Sequence, residues 1–238
     1  MVNFPSIADH ILIWIFGIIF PFLSGLQSEK LNGQIIFNEA SRKRLYLGNS
    51  LMLAISGSSV LVIWLLKQRN FGFLGFNQSI QFSVPLIIVL NVFITAYIID
   101  IFFTLQGTKK QPIEKEQEWF DKSSFLPQHK RELPAYIVLC LCAGIFEEII
   151  YRGFMVTYFL PLNEKASIPF LALFAPSILF SLAHYYQGWS SVVKIFIFST
   201  LLSWIFISSK SIYLNMGIHF LVDLISGIAM MKKTNKSL

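Results

Sequence analysis

Seven stretches of mostly apolar residues, roughly 8–26, 45–66, 82–105, 135–160, 168–187, 190–208 and 211–231, punctuate this chain. About 20 such residues span the hydrocarbon core of a bilayer as a helix. In lipid a helix also satisfies its own backbone hydrogen bonds. The expected fold class is therefore all-α, a polytopic membrane helix bundle with about seven transmembrane helices. Composition agrees: 13% of the 238 residues are charged and 24 are Phe, whereas soluble domains carry about 25% charge. The first stretch has a long apolar run, no basic leader and no small-residue cleavage site after it, so it reads as a retained span. Cys140 and Cys142, two apart in an apolar segment, read as small buried hydrophobes and not as a disulfide or zinc pair.

Loop charge sets the expected orientation. The segments 27–44, 106–134 and 232–238 hold thirteen Lys and Arg residues, against Lys67, Arg69, Lys165 and Lys210 on the other side. The excess of positive charge on cytoplasmic loops then predicts a cytoplasmic C-terminus and an outside N-terminus, in the cell (plasma) membrane if the source is bacterial. Basic loops against an anionic leaflet account for the net charge of +6 without a nucleic-acid partner. One long hydrophilic segment, 109–133, divides the chain. Residues 1–108 form a three-span N-terminal region, 109–134 a cytoplasmic linker with an interfacial helix, 135–231 a four-span core and 232–238 a basic tail. The linker reads as solvated, with substrate gating as its alternative role.

The fourth span carries charges that lipid should reject. Its twelve Leu, Ile, Val and Phe residues contribute roughly −4 to −7 kcal/mol to insertion, and Glu147, Glu148 and Arg152 cost roughly +8 to +10 kcal/mol. These side chains must face a bundle interior or a water-filled cavity. Glu148 and Arg152, at i and i+4, share one helix face with the acid placed N-terminally, the better order. Glu147 is turned about 100° away from Glu148 and has no basic partner on its own helix. A carboxylate left free beside a histidine is what general-base activation of water requires.

Histidines are available. Phe180 and His184 stand four apart in the fifth span, and His219 and Asp223 do so in the seventh. Ionisable groups on three spans predict one shared interior polar site. Glu147, His184, His219 and Asp223 offer donors that zinc accepts, but the chain lacks HExxH and any two histidines at i, i+4. No cofactor is therefore expected, with a divalent metal as the alternative. Asp100, Asp9 and His10 lie near span ends and can reach the interface. Asn91 and Asn215 can hydrogen-bond between helices.

Glu147-Glu148-x-x-x-Arg152, Phe180-x-x-x-His184 and His219-x-x-x-Asp223, in that order on three late spans, resemble the three motifs of the CPBP intramembrane proteases. That family includes the CAAX-processing Rce1-type endopeptidases and the lysostaphin resistance protein A-like, or Abi, proteins. The resemblance covers roughly 135–231. It implies that Glu147 is the general base activating water, assisted by His184. It also implies that Glu148 and Arg152 order the site and that His219 and Asp223 stabilise the oxyanion. Phe180 and Tyr151 are the accompanying substrate-binding candidates. The third motif departs from the HxxxN of the CAAX-processing members: an ionised Asp223 donates no hydrogen bond, so it must be protonated or act by orienting His219.

The function expected is that of an intramembrane endopeptidase. It would hydrolyse a membrane-associated, CAAX-like or peptide-precursor substrate, with membrane lipid and the peptide or lipidated protein as its partners. The competing class is a non-enzymatic membrane immunity (bacteriocin self-protection) or scaffold protein. A proton-coupled transporter, the third class, lacks the repeat symmetry it would need. Pro176 should kink the fifth span. If the fourth span starts at Ala135, Glu147 lies roughly 18 Å along it, which predicts a conical site open towards the cytoplasm.

Overall fold

The computed structural model describes residues 5–31, 38–76, 79–106, 125–163 and 169–234. Most of the proposed linker, 107–124, and the end of the tail lie outside the described residues, so the interfacial helix expected there does too. Among the described residues the chain is helical, with no strand. Six helices are long and apolar enough to cross a membrane, and a seventh apolar helix is shorter. The chain is thus an integral membrane helix bundle.

Among the described residues seven helices longer than ten residues follow one another. The first, α1, runs without a break through Ile7–Trp14, a π-helical segment Ile15–Ile19 and Phe20–Leu31. Then come α2 (Glu39–Leu66) and α3 (Val84–Gln106). The fourth, α4, starts as Leu133–Cys142 and widens into π-helical segments Ala143–Glu147 and Ile149–Val156 before Thr157–Phe159. Last are α5 (Phe170–Ala183), α6 (Trp189–Ser209) and α7 (Ile212–Thr234). Local chemistry sets several ends. Asn38 caps α2 by accepting from the Ser41 N–H at 2.8 Å, Ser6 and Asp9 form a capping box at α1, and Pro134 sits in the first turn of α4.

The fifth helix differs from the expected 168–187 span. Its 14 residues reach about 21 Å at about 1.5 Å each, short of a hydrocarbon core of about 30 Å. It ends at Ala183, and a 3-10 turn at Tyr185–Gln187 and Gly188 at φ 88° follow. Pro176 lies inside it. His184 therefore stands on a turn at the helix end, not on a helix continuing past it.

Packing against lipid and packing within the bundle separate cleanly on α3. Leu86, Val89 and Phe93 are buried against Leu202 and Ile205 of α6, with Tyr97 packed beside them. Ile87, Ile94, Ile98 and Phe103 on other faces are exposed, as lipid-facing side chains should be. The main core joins Leu12 and Phe16 of α1, Val60 and Trp64 of α2 and residues 149–156 of α4.

Buried ion pairs and hydrogen bonds join the N-terminal helices to one another and to α4 at both ends of the bundle. At the end carrying residues 125–132, Arg42 of α2 donates to Glu132 at 2.7 and 3.0 Å, and the Tyr46 hydroxyl donates to the Phe125 carbonyl at 2.7 Å. At the other end, Arg69 donates to both oxygens of Asp9 at 2.7 Å, and a 2.6 Å hydrogen bond joins His10 and Tyr158. Asp9, expected at the interface, is instead fully buried. A bidentate guanidinium supplies what water would have supplied there.

Arg42→Ala should lower stability by about 3–5 kcal/mol, because Glu132 would keep a buried charge without its cation. Thermal unfolding in lipid nanodiscs checks this, and an unchanged midpoint would show the pair to be dispensable.

Candidate active site

Glu148 is the centre of the polar cluster and has no exposed surface. Its Oε1 accepts from an Arg152 guanidinium N–H at 2.8 Å and from His219 Nδ1 at 2.7 Å. Its Oε2 accepts from the Asn215 amide at 3.2 Å. Three donors from two helices thus saturate one carboxylate, the condition under which a buried charge is tolerable. Arg152 is buried as well; it also donates to the Ser199 hydroxyl of α6 at 2.9 Å and lies 4.8 Å over the Phe180 ring.

Glycine lets the helices come this close. A Cβ on Gly144 would stand 3.0 Å from both the Met216 carbonyl oxygen and the Phe220 nitrogen of α7. Without that side chain α7 lies against α4, within reach of Glu148. The π-helical segments on both sides of Glu148 are a feature that often accompanies functional sites.

Glu147 faces a different environment. Its Oε2 lies 3.6 Å from His219 Nε2, and Asp223 Oδ2 lies 3.5 Å from the same nitrogen. Both separations are longer than an ordinary direct hydrogen bond. The Glu147 side chain is 14% exposed and that of Asp223 35%, against 0% for Glu148. With Nδ1 donating to Glu148, His219 turns its other nitrogen to two carboxylates that solvent can reach.

His184 is placed by the end of α5. Its backbone N–H bonds the Ser181 carbonyl, so the Phe180 carbonyl loses its helical partner, as carbonyls at helix ends do. The His184 Nδ1 N–H takes that carbonyl at 2.9 Å, which leaves Nε2 for chemistry. The Phe180 ring lies between the two histidines, with centroids 4.5 Å from His184 and 6.0 Å from His219. Tyr186 stacks on the outer side of His184 at 6.1 Å. Phe125, from the end of the linker segment, meets Tyr186 at 6.0 Å, so His184 belongs to the end of the bundle that carries residues 125–132.

The structure therefore gathers Glu147, Glu148, Arg152, Phe180, His184, His219 and Asp223 around one point. Tyr151 is buried beside them, its ring 4.8 Å from Phe180 and its hydroxyl donating to the Phe16 carbonyl at 3.4 Å. Sequence reasoning left Asn215 as a generic interhelical donor and missed Ser199 and Gly144. Asn215 had a signal: it precedes His219 by four residues and so shares its face. Ser199 had none, since it comes from a helix without other polar site residues.

Among the described residues no group of three or more His, Cys, Asp or Glu side chains is arranged to hold a metal ion.

Comparison with known proteins bears on this region. The family model described as Rce1-like, type II CAAX prenyl endopeptidase Rce1-like, matches residues 129–225, which carry every residue of the cluster. No curated protein and no solved structure matched the chain.

Gly144→Ala should separate α4 from α7 and cost about 1–3 kcal/mol, as overpacking does. Gly217→Ala, with open space around its Cβ position, should leave stability level or slightly raised. Equal unfolding midpoints for the two variants would remove the close-approach role of Gly144.

Proposed function

We propose that this chain, whose residues 129–225 belong to the Rce1-like CAAX protease family, cleaves peptides by activating water between Glu147 and its two histidines. The family match supports an intramembrane peptidase in general terms. The observation that carries the finer reading is the asymmetry of the two adjacent glutamates. Glu148 is enclosed and saturated by Arg152, Asn215 and His219, while Glu147 is partly exposed and faces His219 Nε2 at 3.6 Å.

In this mechanism a water molecule held between Glu147 and His184 gives a proton to the Glu147 carboxylate as its oxygen attacks the scissile carbonyl. The oxyanion develops opposite His219, which as the imidazolium gives its Nδ1–H to Glu148 and its Nε2–H to the oxyanion. Asp223 acts by keeping that Nε2 oriented and protonated, which resolves why an aspartate works where a donating amide would be expected. Collapse of the tetrahedral species breaks the C–N bond, and the proton on Glu147 passes to the leaving amine. The products are a carboxylate and an amine. Tyr151 and Phe180 bracket the site, and no step passes through a metal.

The substrate is a peptide or lipidated protein at the membrane, CAAX-like or a precursor. It enters from the end of the bundle where His184, Tyr186 and Phe125 meet. The excess of Lys and Arg in the loops supports a cytoplasmic placement of that end, with the N-terminus outside and, for a bacterial source, the chain in the cell membrane.

Purified protein in lipid, given fluorogenic peptides with and without a C-terminal isoprenyl cysteine, tests this. Glu147→Gln should lower cleavage by about 10²-fold or more while the protein stays folded, since among the described residues Glu147 pairs with no Lys or Arg. Chelator should leave cleavage unchanged; loss on chelation would assign a metal after all. Full cleavage by Glu147→Gln would remove the mechanism. Retained biological protection in that variant would favour the non-enzymatic immunity or scaffold reading.

A further inference from the structure

The turn of α7 that carries His219 and Asp223 is gripped from two sides by tyrosine hydroxyls. Tyr97 of α3 donates to the Val222 carbonyl at 2.9 Å, and its oxygen lies 3.2 Å from the Ser226 hydroxyl. Tyr136 of α4 donates to the Asp223 carbonyl at 2.9 Å. Successive carbonyls point about 100° apart around a helix axis, so two donors on consecutive carbonyls restrict rotation of α7 as well as its distance. Gly227 makes the second contact possible, since a Cβ there would overlap the Tyr136 ring.

Both tyrosines are themselves held. The Tyr97 ring meets Phe198 edge-on at 6.2 Å, and Tyr136 meets Tyr46 at 5.3 Å. Three residues beyond Tyr97, Asp100 pairs with Lys194 of α6 at 2.7 Å, which fixes α3 along its length. By contrast, the Asp223 side chain is 35% exposed and stands 3.5 Å from His219 Nε2. Where these two side chains of α7 stand relative to Glu147 of α4 is decided by the rotation of their helix.

We propose that Tyr97 is a positioning residue of the active site: with Tyr136 it clamps the Val222 and Asp223 carbonyls and so sets how the His219 and Asp223 face of α7 stands against Glu147 and Glu148 of α4. Tyr97 lies outside the matched residues 129–225, so the third membrane helix becomes part of the catalytic unit and not an anchor alone. The inference rests on the reading of His219 and Asp223 as site residues, and its test does not depend on observing cleavage.

Tyr97→Phe keeps the ring and removes the donor. The full chain, labelled with ¹⁵N histidine and held in nanodiscs, reports on this through its four imidazoles, with His219 assigned by its loss in His219→Gln. Tyr97→Phe should displace the His219 ring signals. Tyr136→Phe should do the same and serves as the reading if Tyr97→Phe does not fold. Tyr158→Phe, which removes a hydroxyl bonded to His10 at the other end of the bundle, should leave them in place. With the peptide substrates above, Tyr97→Phe should lower kcat roughly tenfold with KM unchanged. His219 signals in Tyr97→Phe that superimpose on those of the parent overturn the proposal, whatever the peptide assay shows. Equal displacement in Tyr158→Phe overturns it too, because the effect would then be global. If the parent cleaves no peptide while the signals move as expected, the clamp stands and the protease reading fails separately.

Discussion

The Glu148 carboxylate sets the geometry of everything around it. A charge with no exposed surface in an apolar bundle is sustained only by donors that stay in place, and here Arg152, Asn215 and His219 provide them from α4 and α7. Because Arg152 also reaches Ser199, the same carboxylate indirectly holds α6. Each donor brings a consequence. His219 is fixed with its second nitrogen outward, Arg152 is placed over Phe180, and Phe180 in turn supports both histidines. One buried charge thus orders three helices and the ring between them, at the cost of demanding that all its partners be present at once.

The adjacent glutamate shows how one residue of displacement changes chemistry. Glu147 and Glu148 are neighbours in sequence, but the helix turns one into the interior and the other towards Asp223 and solvent. In the proposed mechanism the saturated carboxylate orders the site and the unsaturated one beside the imidazole is the base. The residues matched by the Rce1-like family model, 129–225, include both.

Much of this was legible in the chain because it depends on local spacing. Glu148 and Arg152 at i and i+4, and the long apolar stretches, are statements about one helix, and they survive even though α4 widens into π-helical turns that its residue pattern does not announce. The length of α5 was misjudged because apolarity continues towards Trp189, although Gly188 and the polar Gln187 mark a turn. What periodicity could not give were the pairings across the bundle. Asp9 with Arg69, Arg42 with Glu132, and Tyr97 with Val222 join residues 60, 90 and 125 positions apart. Such contacts are settled by which helices become neighbours, and nothing in the spacing of one helix carries that information.

The short fifth helix has an effect on the surrounding lipid. Phe170, Leu171 and Ile178 present α5 to the acyl chains, yet its 14 residues fall about 9 Å short of a typical hydrocarbon core. Such hydrophobic mismatch is relieved by thinning of the adjoining leaflet. The headgroup region then dips towards His184 and Tyr186, at the end of that helix. The membrane beside the site is in this sense shaped by the protein, and a polar peptide backbone meets water and headgroups at a depth where an unperturbed bilayer would offer only hydrocarbon.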